Sequence, residues 1–213
     1  MVWLIIKEGI TYVGQEIDNL TWSMGVLRRI AHQKKNGYYL REDSYNEWVE
    51  NSKFDLIISA PPFGKIRKFN DSIDSSIKSG DQYVVKKGID SLKPNGKLVV
   101  LVGESFLFSY GAYLQLRKKL IEENLIETII SLPAGIFQPY SGVKSSILVL
   151  DKNKEQGETI NLVDGSHFAI KEIKKVSLNN EQVLKALSNV GESDGVINIT
   201  NEEVIKQNYN LQV

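Results

Sequence analysis

The sequence predicts an α/β fold in which a parallel sheet carries helices on both faces. Over the first 150 residues, short apolar runs alternate with longer amphipathic stretches, as they do in successive β-α-β units. Two of these runs, residues 56–58 and 98–101, are continuously apolar, which is typical of strands covered on both faces. A chain of 213 residues, 42% hydrophobic and 24% charged, is also long enough to bury a sizeable core.

Each element of this predicted sheet follows from its local pattern. The strands cover residues 11–14, 37–40, 54–59, 97–102, 126–131 and 146–150. The helices, in which apolar residues recur every three or four positions, cover residues 20–33, 82–92 and 110–124. Lys93-Pro94-Asn95-Gly96 predicts a turn before the fourth strand, because proline presets φ and Asn-Gly accommodates a chain reversal.

The chain becomes more polar after residue 150. The pattern there predicts a loop at 151–157, short edge strands at 159–163 and 168–176, and a helix at 181–187. Thr200-Asn201-Glu202-Glu203 has the spacing of a capping box and predicts a last short helix. We therefore expect a sheet domain over residues 1–150 and a carboxyl-terminal extension over residues 151–213 that packs on it.

Composition excludes several classes of function. The 26 basic and 26 acidic side chains cancel, so any charge that binds nucleic acid must be local. The chain has no cysteine, and its two histidines, His32 and His167, are far apart in the sequence, so we expect no metal centre. No apolar run approaches the roughly 20 residues of a membrane-spanning helix, and the amino terminus lacks a signal-peptide pattern. We therefore expect a cytoplasmic protein.

The most informative segment is the end of the strand at 54–59, where Ala60-Pro61-Pro62-Phe63 follows directly. We call these four residues the Pro-Pro segment. Two prolines in succession end a central strand, because proline cannot donate to the ladder. In an open parallel sheet, ligands bind at the carboxyl end of such a strand. Taken alone, the pattern indicates a strand stop as readily as a binding site.

The Pro-Pro segment resembles the Asn/Asp/Ser-Pro-Pro-Tyr/Phe motif of DNA methyltransferases that act on adenine N6 and other amino groups. Other segments resemble, in the same order, the modification subunit of type I restriction-modification systems. They are residues 12–17, 132–137, 142–148 and 208–211. The resemblance implies a Rossmann-like sheet that uses S-adenosylmethionine for DNA methylation. It also implies DNA and the specificity and restriction subunits as partners.

The resemblance assigns roles to the Pro-Pro segment. Methylation of adenine N6 requires the base to leave the helical stack and enter a pocket. Pro61 would supply a carbonyl that accepts a hydrogen bond from the amino group, Pro62 would supply rigidity, and Phe63 would stack on the base. Phe63 could instead be a core aromatic. Phe137 and Tyr140 would form a second wall around the base, or would anchor their own loop.

Ala60 departs from the family motif. The family has Asn, Asp or Ser at this position, whose side chain accepts a second hydrogen bond from the amino group, and alanine has no acceptor. Ser59 is a poor substitute, because successive strand side chains point to opposite faces. Three explanations remain open: the protein is naturally inactive, the change was engineered, or a nearby group compensates.

The cofactor site departs from the family as well. Glu16, with the neighbouring Ile17, would hold the ribose hydroxyls, and Asp43 would contact the adenine of the cofactor. Either acid alone could instead be a solvated loop carboxylate. The chain contains no Gly-x-Gly turn, and residues 1–9 resemble the end of the family's first helix. We expect the first strand and the glycine-rich loop to be missing, so that this chain alone binds S-adenosylmethionine weakly or not at all.

Local charge predicts where DNA would be contacted. Between Lys65 and Lys119, eleven basic and five acidic side chains give a net charge of +6. Lys65, Arg67 and Lys68 directly follow the Pro-Pro segment and could neutralise phosphates there, and Lys144 is a further candidate. A solvated surface is the alternative interpretation of such a charge run.

Two hypotheses follow for the function. In the first, the chain is the carboxyl-terminal portion of an adenine-N6 DNA methyltransferase subunit, and an amino-terminal half completes its activity. In the second, it is a non-catalytic remnant that binds DNA or another subunit. A nucleotide-dependent dehydrogenase on a similar sheet is disfavoured, because the glycine fingerprint of that class is missing.

Overall fold

The computed structural model describes residues 10–33, 36–49, 53–64, 76–173, 175–188 and 194–212. The chain divides into two compact units, residues 1–52 with 67–74 and residues 53–66 with 75–213. Each unit contains a sheet of its own. The expected helix end at residues 1–9 lies outside the described residues.

The first unit is built around two parallel strands, β1 (Tyr12–Gln15) and β2 (Gly37–Leu40), joined by helix α1 (Asn19–Ala31). The helix begins where the Asp18 carboxylate accepts a hydrogen bond from the Thr21 amide at 2.8 Å. Gly14 of β1 packs against the ring of Tyr39, since a Cβ at residue 14 would lie 2.2 Å from Tyr39 Cδ2. The predicted β-α-β unit is confirmed here.

The second unit contains a six-stranded sheet in the order β10-β7-β5-β6-β4-β3. Its strands are β3 (Phe54–Ser59), β4 (Leu92–Gly103), β5 (Ile126–Ser131), β6 (Ser145–Asp151), β7 (Ile160–Asp164) and β10 (Val196–Ile199). A separate hairpin pairs β8 (Ala169–Glu172) with β9 (Lys175–Leu178). The helices are α2 (Gly80–Ser91), α3 (Ser105–Phe108), α4 (Ala112–Glu122), α5 (Asn180–Ser188) and α6 (Asn201–Lys206).

The six-stranded sheet is mixed, which corrects the expectation of a parallel sheet. Strand β4 runs parallel to β3, and β7 runs parallel to β5. Strand β6 lies antiparallel between β4 and β5. The reason is the connection: β5 returns to β6 through a loop without a crossover helix, and strands joined in this way run antiparallel. Strands β7 and β10, both after residue 150, belong to this same sheet.

Helices cover both faces of the sheet. On one face, α2 packs closely on β4, where a Cβ added to Gly88 would lie 3.0 Å from Leu98 Cδ2. On the other face, Val183 of α5 packs with Ile130 of β5. Ile130 pairs with a residue of β6 that in turn pairs with Leu101 of β4, so Ile130 and Leu101 lie on the same face. Leu98 and Leu101 are an odd number of residues apart, so they point to opposite faces. The predicted arrangement of helices on both faces is confirmed.

Two local features differ from expectation. Strand β4 begins at Leu92, earlier than predicted, and residues 93–96, where a turn was predicted, lie at a register shift, since Phe54 pairs with Leu92 but Leu56 pairs with Lys97. In β3, Leu56 and Ile58 are 42% and 41% exposed, although both were expected to be covered. Within the described part of the chain β3 is the end strand of its sheet and pairs only with β4, so fewer neighbours cover it.

No helix in the described residues is long and apolar enough to cross a membrane. The same residues contain no cluster of three or more acidic or histidine side chains that could hold a metal ion.

Candidate active site

The carboxyl ends of β3, β4 and β5 meet at one edge of the six-stranded sheet. Strands β3 and β4 are parallel, and β6 is antiparallel to both β4 and β5, so all three strands end on the same side. The Pro-Pro segment follows β3 at this edge, Gly103 ends β4, and residues 132–144 connect β5 to β6. We call residues 132–144 the Phe137 loop. The topology therefore gathers several of the predicted site residues.

The Pro-Pro segment is partly accessible. Pro61 is buried, Ala60 and Pro62 are exposed, and Phe63 is half-buried. The ring of Phe63 meets the ring of Phe137 edge to face, with centroids 6.1 Å apart and planes inclined by 62°. This geometry is one of the favoured arrangements for an aromatic pair. The two aromatic residues expected around a base are therefore in contact.

The Phe137 loop is held by its own backbone. The Gln138 amide donates to the Gly135 carbonyl at 3.0 Å, and the Ser141 amide donates to the Phe137 carbonyl at 2.9 Å. Tyr140, the other candidate wall residue, is 95% exposed and turns its side chain to the surface. The structure therefore distinguishes the two aromatic candidates, since Phe137 contacts Phe63 and Tyr140 is left in solvent.

A buried polar cluster lies beside Gly103, and sequence reasoning missed it. Asp81, at the start of α2, is 7% exposed and accepts hydrogen bonds from the Gln82 amide at 2.8 Å and from the Tyr113 hydroxyl at 3.1 Å. Ser79 also donates to this carboxylate. Burial is the main cause that raises the pKa of Tyr113, so its hydroxyl keeps its proton and stays a donor.

A sequence signal for this cluster exists. Ser79 stands in the cap position of α2 and Asp81 lies in its first turn, which is the usual composition of a helix start. The prediction began this helix only at residue 82 and so left Asp81 in a loop. Its nearness to Phe63 has no local signature, because it depends on how α2 and β4 pack.

The basic candidates have different outcomes. Lys144 forms an ion pair with Glu104, with 3.7 Å between Nζ and Oε1, and its carbonyl accepts from the Glu104 amide at 3.0 Å. Exposed pairs of this kind contribute only about 0–1 kcal/mol. Lys65, Arg67 and Lys68 lie outside the described residues.

The first unit contains the candidate cofactor residues. Glu16 follows β1 directly, its Oε1 accepting from the Asp18 amide at 2.9 Å, and Ile17 is 64% exposed. Asp43 lies shortly after β2 and accepts from the Tyr45 amide at 3.0 Å and from the Asn46 side chain at 2.7 Å. Because β1 and β2 are parallel, both carboxylates lie at the carboxyl edge of that sheet.

These residues fit an adenosine group chemically. The Asp18 amide donates to Oε1 of Glu16, so Oε2 has capacity to accept from ribose hydroxyls. Burial, together with the nearby Glu16 carboxylate, raises the pKa of Tyr39. The exposed side chain of Ile17 offers an apolar surface.

Comparison with protein families matches the model described as N-6 DNA Methylase over residues 6–213. The chain is 24% identical, over 96% of its length, to the type I restriction enzyme MpnII methylase subunit of Mycoplasma pneumoniae. It is 26% identical, over 97% of its length, to the MjaVIII methylase subunit of Methanocaldococcus jannaschii. It spans 42% and 41% of the lengths of these two relatives, less than half of each.

Solved structures share the fold. The methyltransferase subunit of a type I restriction-modification system from Streptococcus thermophilus matches with a TM-score of 0.82 at 24% identity, over 95% of this chain and 47% of that one. A chain from a study of complex assembly and conformational transition in the type I system matches with a TM-score of 0.78 at 22% identity, over 95% of this chain and 46% of that one. These likenesses confirm the predicted methyltransferase fold.

Proposed function

Because the chain belongs to the N-6 DNA methylase family, we propose that it forms part of an adenine-N6 DNA methyltransferase, as the modification subunit of a type I restriction-modification system. The curated relatives that it matches are methylase subunits of such systems. The chain covers less than half of their length, so we propose the activity for the complete methyltransferase that it would help to form. Since the proposed substrate is DNA, we expect this protein to act in the cytoplasm.

The observation that carries the proposal is the placement of the Pro-Pro segment. It follows an apolar strand at the carboxyl edge of the sheet, where ligands bind in open α/β folds. Phe63 is half-buried and contacts Phe137, so two aromatic rings lie side by side at this position. An adenine that leaves the duplex can stack on one of these rings, and stacks of this kind are worth about 1–3 kcal/mol per base.

The backbone of the Pro-Pro segment supplies the chemistry. The lone pair of an exocyclic amino nitrogen is delocalised into the ring, so this nitrogen is a weak nucleophile. A carbonyl that accepts a hydrogen bond from the amino group favours a geometry in which the lone pair points out of the ring. Pro61 offers that carbonyl, and the fixed φ of Pro62 limits its movement. Orientation and electrostatic stabilisation are then the contributions of this segment.

The first unit would hold the cofactor. Glu16 would accept hydrogen bonds from the ribose hydroxyls, Asp43 would contact the adenine, and Ile17 would pack on the ring. S-adenosylmethionine, when bound, would supply the methyl group from a sulfonium centre; the amino nitrogen would form the new N–C bond with its lone pair and release one proton. The residues of this chain bind and orient the cofactor.

DNA and other subunits are the proposed partners. Lys65, Arg67, Lys68 and Lys144 would contact phosphates around the flipped base. Recognition of the target sequence would be delegated to a specificity subunit, and cleavage to a restriction subunit. An amino-terminal half would supply the glycine-rich part of the cofactor site.

Ala60 favours a second candidate function. A site that lacks one preorganised hydrogen-bond partner loses on the order of 100- to 1000-fold in rate in other enzymes. On this ground the chain would be a non-catalytic member of the family that binds DNA or another subunit. The two candidates differ in methyl transfer and agree in DNA binding.

Methyl transfer by the protein that contains this chain, co-purified with its partner subunits, tests the proposal. Unmethylated DNA and S-adenosylmethionine with a labelled methyl group are supplied, and N6-methyladenine in the DNA is measured. We expect the wild type to form N6-methyladenine and Phe63→Ala to lose most of this activity while still binding the cofactor. DNA binding without methyl transfer by the wild type would instead establish the non-catalytic candidate.

A further inference from the structure

Asp81 is a buried carboxylate beside Gly103, near the ring of Phe63. In the part of the chain that the structure describes, it is the one acidic side chain among the buried residues, at 7% exposure. It lies at the start of α2, at the same edge of the sheet as the Pro-Pro segment. A buried charge of this kind requires several donors to offset its lost hydration.

The two carboxylate oxygens of Asp81 accept different numbers of hydrogen bonds. Oδ1 accepts from the Ser79 hydroxyl, from the Gln82 amide at 2.8 Å and from the Tyr113 hydroxyl at 3.1 Å. Oδ2 accepts from the Gly103 amide at 3.3 Å, longer than the usual 2.9–3.0 Å for an N–H donor. A carboxylate oxygen has about two acceptor sites. Oδ1 is therefore saturated, and Oδ2 keeps capacity for a further donor.

Gly103 keeps the space between Asp81 and Phe63 open. A Cβ at residue 103 would lie 3.9 Å from Asp81 Oδ2 and 4.0 Å from Phe63 Cδ1. These two atoms are therefore within about 8 Å of each other, next to a residue without a side chain. A purine stacked on Phe63 can reach across this gap with its exocyclic amino group.

A second polar side chain borders the same position. Ser145 is the ladder partner of Gly103 on β6, and opposite residues of an antiparallel pair direct their side chains to one face. Ser145 is 3% exposed, and its Oγ has no hydrogen-bond partner in the described structure. Buried hydroxyls are normally paired, so an unpaired one here adds to the polar character of this wall.

We propose that Asp81 is a catalytic residue that supplies the acceptor missing at Ala60, its Oδ2 accepting a hydrogen bond from the amino group of the base stacked on Phe63. The inference rests on the proposed function and names a residue that the family motif does not contain. Pro61 and Asp81 would then contact the two hydrogens of the amino group. The charge on Asp81 makes this hydrogen bond stronger than one to a neutral amide.

Asp81→Asn removes the acceptor at Oδ2, both for the base and for the Gly103 amide. Three donors converge on the Oδ1 position, so the amide oxygen of the substituted side chain would be retained there and its NH2 group would take the place of Oδ2. The variant keeps the shape of the side chain but presents a donor to the amino group of the base. Ala60→Asn restores the acceptor of the family motif at the other position.

Four proteins are compared in the complete subunit assembly: wild type, Asp81→Asn, Ala60→Asn and the double variant. We expect Asp81→Asn to lower kcat by on the order of 100- to 1000-fold, with little change in affinity for S-adenosylmethionine. The kcat of the double variant should be at least tenfold higher than that of Asp81→Asn. Ser79→Ala removes a donor to Oδ1 and an acceptor for the Tyr113 hydroxyl but leaves Oδ2 in place, so it should have a smaller effect than Asp81→Asn.

A binding measurement separates recognition from folding. DNA with purine in place of the target adenine lacks the amino group, so the wild type should bind it more weakly than adenine DNA. Asp81→Asn should discriminate less between the two DNAs than the wild type does, because only the Pro61 carbonyl still accepts from the amino group, and circular dichroism shows whether the variant is folded. Wild-type kcat in Asp81→Asn, or a folded double variant no more active than Asp81→Asn, would overturn the inference alone. A wild type without methyl transfer would overturn the proposed function, and the inference with it.

Discussion

The rings of Phe63 and Phe137 meet edge to face, with centroids 6.1 Å apart, at the carboxyl edge of the six-stranded sheet. Phe63 comes from the segment after β3, and Phe137 comes from the loop between β5 and β6. The contact joins the Pro-Pro segment to a second loop. A base-stacking role can therefore be tested at two residues that are far apart in the sequence.

Phe137→Ala should weaken binding of the flipped base. Loss of one stacking partner costs about 1–3 kcal/mol, or about 5- to 150-fold in affinity. Fluorescence of 2-aminopurine at the target position, which rises when the base leaves the stack, measures the effect. Tyr140→Ala provides the comparison within the same loop, and its loss should be smaller because Tyr140 is 95% exposed. A larger loss for Tyr140→Ala would assign the second wall to Tyr140.

Glu16→Gln should weaken cofactor binding in the complete protein. Hydrogen bonds to a charged group contribute about 1.5–3 kcal/mol, so we expect a loss of about 10- to 150-fold in affinity for S-adenosylmethionine. Isothermal titration calorimetry measures it. Glu47→Gln, at an exposed residue of the same unit, serves as the control. Equal affinities for the wild type and Glu16→Gln would remove Glu16 from the cofactor site.

Arg117→Met should destabilise the second unit. Arg117 is 1% exposed and donates to the carbonyls of Phe106 at 2.7 Å and of Tyr209 at 2.8 Å, which ties the carboxyl-terminal segment to α3 and α4. Burial lowers the pKa of Arg117 to about 10, so methionine relieves the burial of a charge but leaves two carbonyls without this donor. We expect a net loss of about 1–3 kcal/mol in the free energy of unfolding.

Urea unfolding measures this loss. Lys119→Met on the same helix is the matched control, because Lys119 is exposed and forms only a 3.9 Å pair with Glu123. Its effect should stay within about 0.5 kcal/mol. An Arg117→Met protein as stable as the wild type would show that the two carbonyls find other donors.

Glu203→Gln should reduce the loss of stability in acid. Hydrogen bonds from the backbone and side chain of Thr200 lower the pKa of Glu203 below its ordinary value of 4.5. A carboxylate with a lowered pKa in the folded state contributes stability above the unfolded pKa, and this contribution is lost as pH falls through the folded pKa. Glutamine keeps the capping box without the charge.

Thermal unfolding followed from about pH 3 to about pH 7 tests this. The wild type should lose more stability below about pH 4.5 than Glu203→Gln does. Glu202→Gln leaves the capping box intact and controls for the removal of one acidic side chain. Parallel pH profiles for the wild type and Glu203→Gln would contradict the prediction.

The sequence by itself determined the types of most elements and the family. Short apolar runs placed β1 to β3, and apolar residues every three or four positions placed α1, α2 and α4, close to their observed bounds; the Thr200 capping box was confirmed at α6. These features are local, since they depend on residues only a few positions apart. The Pro-Pro segment carried the family resemblance for the same reason, because its residues are consecutive.

Tertiary structure decided which distant residues meet. The antiparallel placement of β6, the contact of Phe63 with Phe137 and the position of Asp81 beside Gly103 have no local signature. Strand order and register arise when the whole core packs, because each strand is selected by its neighbours on both edges and faces. Ala60 could therefore be recognised in the sequence as a missing acceptor, whereas a carboxylate that could replace it became visible only once α2 was packed against β4.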